Sequence, residues 1–332
     1  MGAKKRRASV GSLTEPDYRA PWWLPGGHLQ TIYARHLGRQ YSVSYRRERW
    51  ETPDNDFIDL DWLGHASDSG NLIVMFHGLE GYSQSHYARS LMAMAARYGW
   101  RGVVPHFRGC SGEANRLLRC YHSGDSREID WILRRVKTEN PQNKICAVGI
   151  SLGGNMLLKW LGEEGSAACG ILERAAAISA PLDLAAAATE LDFGLKRVLY
   201  TSHFLRSMRP RALAKVAAHP SAIDPRAIRA SVTFRQFDDL FTAPVHGFKD
   251  AADYWRRSSS RPWLDKIAVP TLILNARNDP FLPASALPSD RDVSDAVTLE
   301  FPHTGGHVGF VSGRFPGHFN WLPERILRYF SD

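Results

Sequence analysis

The stretch Lys144-Ile-Cys-Ala-Val-Gly149-Ile-Ser151-Leu-Gly153-Gly-Asn155 decides the fold of this 332-residue chain. Its apolar first half predicts a buried strand that ends in a turn, and a helix is predicted over 156–162. A side chain at Gly149 or Gly153 would collide with the strand or the helix, so this G-x-S-x-G spacing is typical of a nucleophile elbow. The hydroxyl of Ser151 then stands at the carboxyl edge of a sheet, over the positive end of a helix. We interpret Ser151 as a catalytic serine, with a purely structural turn as the alternative.

Strand and helix patterns alternate on both sides of this stretch. Apolar runs predict strands at 71–76, 102–107, 144–150, 175–179, 271–275 and 297–301, and helical patterns lie at 86–98, 126–137 and 322–330. Such alternation favours a mainly parallel central sheet that is flanked by helices on both faces. An alternating apolar and polar pattern over 41–63 predicts an antiparallel hairpin before it.

The predicted organisation is one α/β domain over 21–332, preceded by a disordered basic tail over 1–20. Residues 21–33 are rich in aromatic side chains, proline and glycine, which makes them too apolar for a free tail. Residues 183–260 break the alternation, because they contain helical segments and no convincing strand. We expect this block to be a helical lid over the carboxyl edge of the sheet that does not fold as an independent unit.

Composition and cysteine usage exclude several classes of protein. The chain is 44% hydrophobic and 23% charged, as is ordinary for a soluble globular protein. No apolar stretch approaches the ~18 residues that a transmembrane helix needs. The N-terminus is basic but lacks the apolar segment of a secretory signal, and the four cysteines have no zinc-type spacing. A reducing cytoplasm is therefore the expected location.

The formal net charge of +8 comes in part from a cluster of six basic residues. They are Lys196, Arg197, Arg206, Arg209, Arg211 and Lys215. Such charge can attract phosphate, nucleic acid or an anionic lipid surface. No nucleic-acid-binding module accompanies it, so no nucleic-acid partner is expected. A solvated face is the simpler interpretation, and weak peripheral contact with a membrane surface stays open.

The acid that would accompany a catalytic serine is predicted to be Asp279. A serine nucleophile needs a base and the base needs a carboxylate, which in this kind of sheet follow the serine in the order acid, then histidine. Asp279 lies just past the apolar run 271–275, at the edge of the sheet where reacting groups gather. Asp265 and Asp290 are weaker candidates, because neither directly follows a strand.

The base is predicted to be His307, in the loop after the run 297–301. Glycines on both sides of His307 permit a tight loop that brings the imidazole over the serine. His303 is too near the strand end to swing as freely, and His318 follows a later Pro-Gly turn. A purely structural role for His307 is the alternative.

An oxyanion site would complete the constellation, usually from two backbone N–H groups. One is predicted on Leu152, which directly follows the serine. The other is predicted on Leu79, in the loop after the run 71–76, where Gly78 allows close approach of the backbone. His77 is expected to support this loop by hydrogen bonds and not to take part in the chemistry.

With these residues in place, the chain resembles the α/β-hydrolase superfamily and, within it, the YheT-like hydrolases. The narrower resemblance rests on Pro21-Trp-Trp-Leu-Pro-Gly-Gly-His-Leu-Gln-Thr31, His77-Gly-Leu-Glu-Gly-Tyr-Ser-Gln-Ser-His86-Tyr-Ala-Arg89, Phe107-Arg-Gly-Cys-Ser-Gly-Glu-Ala-Asn-Arg116 and Tyr121-His-Ser-Gly-Asp125. It extends from about residue 20 to the C-terminus. The family's triad pattern carries over onto Ser151, Asp279 and His307.

The resemblance implies an α/β-hydrolase fold and a serine hydrolase that cleaves carboxylic esters through an acyl-enzyme. Small-molecule or lipid esters are the substrates that it suggests, and neither a metal nor an organic cofactor is required. Two alternatives remain open at this point: an acyltransferase that passes the acyl group to an alcohol or thiol, and a catalytically idle scaffold that binds a lipid or a partner.

Overall fold

A computed structural model describes residues 18–38, 41–65, 70–219 and 222–332. One sheet of eight strands has the spatial order β1-β2-β4-β3-β5-β6-β7-β8. The strands are β1 Arg46–Glu51, β2 Phe57–Leu63, β3 Asn71–Phe76, β4 Arg101–Pro105, β5 Lys144–Ile150, β6 Arg174–Ile178, β7 Thr271–Leu274 and β8 Val297–Glu300. The pairs β1–β2 and β2–β4 are antiparallel, and all other neighbours are parallel. The predicted opening hairpin and mainly parallel sheet are therefore both present.

Helices cover both faces of the sheet and its carboxyl edge. They are α1 Gly27–His36, α2 His86–Arg97, α3 Ser126–Glu139, α4 Leu152–Glu164, α5 Leu184–Leu191, α6 Gly194–Lys196, α7 Ser202–Ala218, α8 Pro225–Ala230, α9 Phe234–Phe237, α10 Ala243–His246, α11 Ala251–Ser258 and α12 Trp321–Ser331. Short 3₁₀ segments lie at Gly165–Gly170, Arg261–Lys266 and Ala284–Ala286, and π-helical turns lie at Arg197–Thr201 and Asp238–Thr242. Across the described ranges, no helix combines the length and apolar character needed to cross a membrane.

Alternation along the central strand β3 divides the core into two layers. Leu72, Val74 and Phe76 belong to the apolar cluster on the side of α3 and α4. Ile73 and Met75 belong to the cluster on the side of α2 and α12. Because successive side chains of a strand point to opposite faces, this fully apolar strand is buried on both sides.

Two predicted boundaries need correction. The helix after the serine begins at Leu152 and not at residue 156, because the Gly153-Gly154 pair continues the helix where it packs against the strands. The ordered chain also reaches further toward the N-terminus than predicted. Tyr18 is buried, and its hydroxyl donates to the Val311 carbonyl at 2.8 Å, so residues 18–20 are not part of a free tail. Residues 1–17 of the predicted tail lie outside the described residues.

The described parts of residues 183–260, 183–219 and 222–260, form a helical insertion between β6 and β7 (the helical insertion below), and none of them belongs to a strand. Its apolar side chains form a cluster that includes Leu184, Phe204 and Trp255. Phe281, which follows β7, is part of the same cluster, and Leu79 packs against it. The insertion therefore packs on the loops at the carboxyl edge of the sheet.

Four of the six residues in the predicted basic cluster bond within the fold. Lys196 pairs with Glu190, and Arg211 pairs with Glu80 at 3.1 Å. Arg209 donates to the Leu205 and Ser231 carbonyls, and Lys215 donates to the Asn115 and Leu117 carbonyls. These contacts pair two of the six charges with carboxylates and bond two more to backbone carbonyls. Contact with a membrane surface stays a prediction.

Candidate active site

The turn between β5 and α4 holds Ser151 in an unusual backbone conformation. Its φ of 53° and ψ of −119° lie in a region that non-glycine residues rarely adopt. A Cβ on Gly149 would lie 2.5 Å from the Gly153 carbonyl oxygen. A Cβ on Gly153 would lie 2.5 Å from the Phe76 carbonyl oxygen, at the end of β3. Only glycine fits at either position, so the local sequence forces this sharp turn and places the serine at the N-terminus of α4.

The predicted acid, base and serine side chains meet at the carboxyl edge of the sheet. His307 Nε2 lies 2.9 Å from Ser151 Oγ, and His307 Nδ1 lies 2.9 Å from Asp279 Oδ2. The Asp279 side chain is fully buried, and its other oxygen accepts the Phe281 N–H at 2.8 Å. This arrangement can pass a proton from the serine hydroxyl to the imidazole while the carboxylate fixes the ring.

The competing candidates lie elsewhere. Asp265, Asp290 and His303 are exposed at the surface. His318 pairs with Ser312 through the backbone, and its Nδ1 accepts the Asn320 N–H at 3.4 Å. The structure brings none of these four side chains to the serine.

Contacts from two other segments, to whose residues the sequence assigns no role, hold the loop that carries His307. The His307 N–H donates to Thr31 Oγ1 at 2.8 Å. The N–H groups of the two preceding glycines donate to Gln30 Oε1 at 2.9 Å and to Asn278 Oδ1 at 3.0 Å. The Gln30 side chain is fully buried, and the Phe281 ring stacks on the imidazole with ring centroids 3.8 Å apart. Thr31, Gln30 and Asn278 thus fix the backbone around the base.

The loop after β3 faces the serine, as the sequence predicts. A Cβ on Gly78 would lie 3.2 Å from the Ser151 Cβ, so the backbone runs directly beside the nucleophile. The Gly78 N–H donates to the Tyr87 hydroxyl, and the Glu80 N–H donates to the Tyr121 hydroxyl, both at 3.0 Å. Within the described part of the chain, the N–H groups of Leu79 and Leu152 have no hydrogen-bond acceptor. They are therefore available to a bound ligand.

His77 supports this loop from below. Its Nδ1 donates to the Gly78 carbonyl at 2.8 Å, and its Nε2 accepts the Phe107 N–H at 3.0 Å. Burial, aided by nearby His106, lowers the pKa of His77 to about 3, so the ring is neutral at physiological pH. These contacts hold the loop in place, and a purely structural role for His77 stays a prediction.

Cavities of different character open on the two sides of Ser151. One of about 420 Å³ (the polar cavity below) has a mixed wall, in which Arg35, Tyr82 and His203 supply polar groups beside apolar side chains. A smaller one of about 100 Å³ borders Ser151 and His307 beneath the insertion, where its wall is mostly apolar. A third cavity of about 300 Å³ shares Leu79, Leu152 and Tyr254 with the smaller one. An apolar group and a polar group can therefore extend in different directions from the serine.

The described ranges contain no group of three or more His, Cys, Asp or Glu side chains that could hold a metal ion.

Comparisons with known proteins give the same fold and family. A sequence model of the alpha/beta hydrolase fold family matches residues 71–313. The chain is 40% identical over 303 residues to "Putative esterase YheT" from Escherichia coli K12, which covers 90% of this chain and 88% of that protein. It is 27% identical over 327 residues to "Phospholipase ABHD3" from Mus musculus, covering 96% of this chain and 78% of the relative.

Among solved structures, the esterase Pf2001 of Pyrococcus furiosus superposes with a TM-score of 0.56 at 13% sequence identity. The superposition covers 89% of this chain and 98% of the esterase, and at this identity it shows the fold alone. The sequence matches show more than the fold. The chain belongs to the alpha/beta hydrolase family and, within it, to the YheT-like group.

Proposed function

We propose that this chain hydrolyses carboxylic esters through an acyl-enzyme formed on Ser151. The observation that carries the proposal is the continuous chain of hydrogen bonds from Asp279 Oδ2 through both ring nitrogens of His307 to Ser151 Oγ, with two links of 2.9 Å. Such a chain makes a serine hydroxyl nucleophilic at neutral pH. It also argues against an idle scaffold, which has no need of it.

In the first half of the reaction, Ser151 Oγ attacks the ester carbonyl carbon and its proton passes to His307 Nε2. The carbonyl oxygen becomes an oxyanion, for which the N–H groups of Leu79 and Leu152 are the donors. The carbon–oxygen bond to the alcohol then breaks, and His307 delivers its proton to the departing oxygen. Asp279 stabilises the imidazolium that forms in between.

In the second half, a water molecule gives its proton to His307 and attacks the acyl carbon. The tetrahedral intermediate collapses to the free carboxylic acid, and Ser151 recovers the proton from the imidazolium. The cycle returns the enzyme to its starting state with water as the only co-reactant.

The two sides of the site suggest how an ester lies in it. The apolar cavity beneath the insertion suits the acyl chain, and the polar cavity suits the alcohol. The insertion then acts as a lid, because Phe204 and Phe234 on its helices form part of the acyl wall. The names of the relatives, an esterase and a phospholipase, support esters and lipids as the substrate class.

Fluorophosphonate labelling, read by intact mass, tests the proposal. We expect one adduct on the wild-type protein and none on Ser151→Ala, together with loss of p-nitrophenyl hexanoate turnover by at least about 10³-fold. Ser151→Ala should unfold at the wild-type temperature, since it removes only one hydroxyl. Full activity of a folded Ser151→Ala protein would refute the assignment.

A further inference from the structure

Glu80 directly follows Leu79, yet no step of the reaction above uses it. Its side chain is only 7% exposed and borders both the polar cavity of about 420 Å³ and the third cavity of about 300 Å³. Its backbone is left-handed, with a φ of 56°, where a non-glycine residue is strained. Both the burial of this acidic side chain and its strained backbone cost free energy. We therefore ask what Glu80 does beside the proposed oxyanion donor.

Tyr121 fixes both the backbone and the side chain of Glu80. The Tyr121 hydroxyl accepts the Glu80 N–H at 3.0 Å and donates to Glu80 Oε1 at 3.0 Å. Burial raises the pKa of Tyr121 well above its ordinary value, so the hydroxyl keeps the proton that it donates. On the other side of Leu79, the Gly78 N–H is held by Tyr87. Both neighbouring amides are thus occupied, which leaves Leu79 to present its N–H to a ligand.

The helical insertion supplies the cation for this carboxylate. Arg211 on α7 donates to the same Glu80 Oε1 at 3.1 Å and contacts Cys110 Sγ at 3.6 Å. The other oxygen, Oε2, is buried and has no partner among the described residues. If α7 moved away, the buried charge would lose its cation, and burial of an unpaired charge is costly. The conformation of Glu80 therefore depends on where α7 lies.

We infer that Glu80 is a positioning residue that sets the Leu79 N–H for the oxyanion, and that Arg211 makes this setting depend on the docking of α7. The inference rests on the proposed function, because it assigns a role within the same site. A docked insertion then completes the oxyanion site, and an undocked one leaves it misaligned. The segment that encloses the substrate is in this way also the segment that switches on transition-state stabilisation.

Steady-state kinetics with p-nitrophenyl hexanoate provide the first test. Glu80→Gln keeps the shape of the side chain and a bond to Tyr121 but loses the charge that holds Arg211. We expect its kcat to fall about tenfold with KM changed less than twofold, since a misplaced oxyanion donor acts on the transition state. Arg211→Gln should lower kcat in the same way, by about threefold. The double variant should be no slower than Glu80→Gln alone, because both changes act through one contact.

Lys215 provides a matched control on the same helix. It lies one turn beyond Arg211 and anchors α7 through the carbonyls of Asn115 and Leu117. If docking strength alone matters, Lys215→Gln should lower kcat as much as Arg211→Gln does. Under the inference, Lys215→Gln leaves kcat within twofold and changes only the thermal midpoint or KM, because α7 stays docked through its apolar contacts and keeps the contact between Arg211 and Glu80.

Inhibition by 1,1,1-trifluoro-2-octanone gives a readout of the oxyanion itself. Ser151 adds to this ketone, and the oxyanion of the adduct lies where that of the transition state would lie. The inhibition constant should rise about tenfold in Glu80→Gln and stay within twofold in Lys215→Gln. Tyr121→Phe, which removes both contacts to Glu80, should weaken inhibition as Glu80→Gln does. If Glu80→Gln does not fold, Tyr121→Phe serves as the test variant in its place.

The outcomes separate this inference from the proposed function. Unchanged kcat and ketone inhibition in Glu80→Gln and Tyr121→Phe, with activity still dependent on Ser151, would overturn only the role of Glu80. An active Ser151→Ala protein would overturn both.

Discussion

The placement of one imidazole depends on residues that lie far away in the chain. Thr31 and His307 are 276 residues apart, yet the Thr31 hydroxyl accepts the His307 N–H at 2.8 Å. The same hydroxyl donates to the Gly27 carbonyl at 2.7 Å, four residues earlier on α1. Because the Thr31 hydroxyl both donates and accepts a hydrogen bond, its orientation is fixed. Thr31 therefore fixes the height of the base above the serine.

We predict that Thr31→Val lowers kcat about tenfold and leaves KM within twofold. Valine has nearly the same shape, so packing is kept, but the His307 N–H loses its acceptor and the loop relaxes. Small displacements of a general base reduce the rate of the chemical step more than they reduce binding. Kinetics with p-nitrophenyl hexanoate measure both constants.

Thr138→Val is the matched control for this variant. Thr138 on α3 also donates to the carbonyl four residues earlier, Arg134, at 2.9 Å, but it is exposed. It should keep the wild-type kcat. Equal kcat values for the two variants and the wild type would show that Thr31 does not position the base.

The sequence predicted the three residues that meet at the site but not those that support them. Ser151, Asp279 and His307 each lie just past an apolar run, and their order along the chain matches the fold. Thr31 and Gln30 belong to a short helix. The sequence pattern of that helix does not distinguish a polar side chain that faces solvent from one that contacts a distant loop. Composition marks residues 21–33 as too apolar for a free tail, and the family resemblance includes residues 21–31, but neither assigns a role to Thr31 or Gln30.

At the scale of elements, the site depends on how closely β5 and α4 approach each other. The sequence predicts that this helix begins at residue 156. It begins at Leu152, since backbone packing around Gly149 leaves no room for side chains and outweighs the poor helix propensity of Gly153 and Gly154. Local propensity could not reveal this, because the cause is a contact between two elements.

Gly149→Ala is expected to lower the free energy of unfolding by about 3 kcal/mol. The new methyl group would lie 2.5 Å from both the Gly153 carbonyl oxygen and the Gly154 Cα, which are backbone atoms that cannot rotate away. Urea denaturation measures the change. The packing argument would be wrong if the midpoint stayed at the wild-type urea concentration.

Gly170→Ala serves as the control for added bulk at a glycine. A Cβ at Gly170 meets no atom within 4 Å, and Gly170 is exposed at the end of a 3₁₀ segment. Its free energy of unfolding should therefore stay within about 0.5 kcal/mol of the wild type.

At the scale of the whole molecule, the insertion and the sheet share their apolar contacts. Phe281 of the sheet side belongs to the same cluster as Leu184, Phe204 and Trp255 of the insertion. A segment that buries its apolar face against its neighbour has little stability of its own. The described residues therefore support the prediction that residues 183–260 do not form an independent domain, and we expect one cooperative unfolding transition.

A buried carboxyl group in the insertion can report on this cooperativity. Asp238 accepts the Trp255 Nε1–H at 2.8 Å and the Thr242 hydroxyl at 2.7 Å. Burial raises the pKa of Asp238 from its ordinary 3.8 to about 7, against the smaller lowering effect of these two bonds, and the nearby Asp192 and Asp239 add to the rise. The folded protein therefore holds a proton that the unfolded chain releases. The stability contributed by this group is complete below about pH 4 and is lost as the pH rises through 7.

We predict that Asp238→Asn removes this loss, because the amide resembles the protonated carboxyl group and cannot ionise. Relative to the wild type, the free energy of unfolding of the variant should improve by about 2 kcal/mol between pH 5 and pH 8. Asp290→Asn, on the exposed surface, should differ from the wild type equally at both pH values.

Urea denaturation followed by far-UV and near-UV circular dichroism gives the free energies of unfolding and also tests whether the insertion and the sheet unfold together. Coincident curves that carry the pH effect would mean that insertion and sheet unfold as one unit. An early transition that alone responds to Asp238→Asn would instead mean that the insertion unfolds first, so that the site can lose its cover while the sheet stays intact.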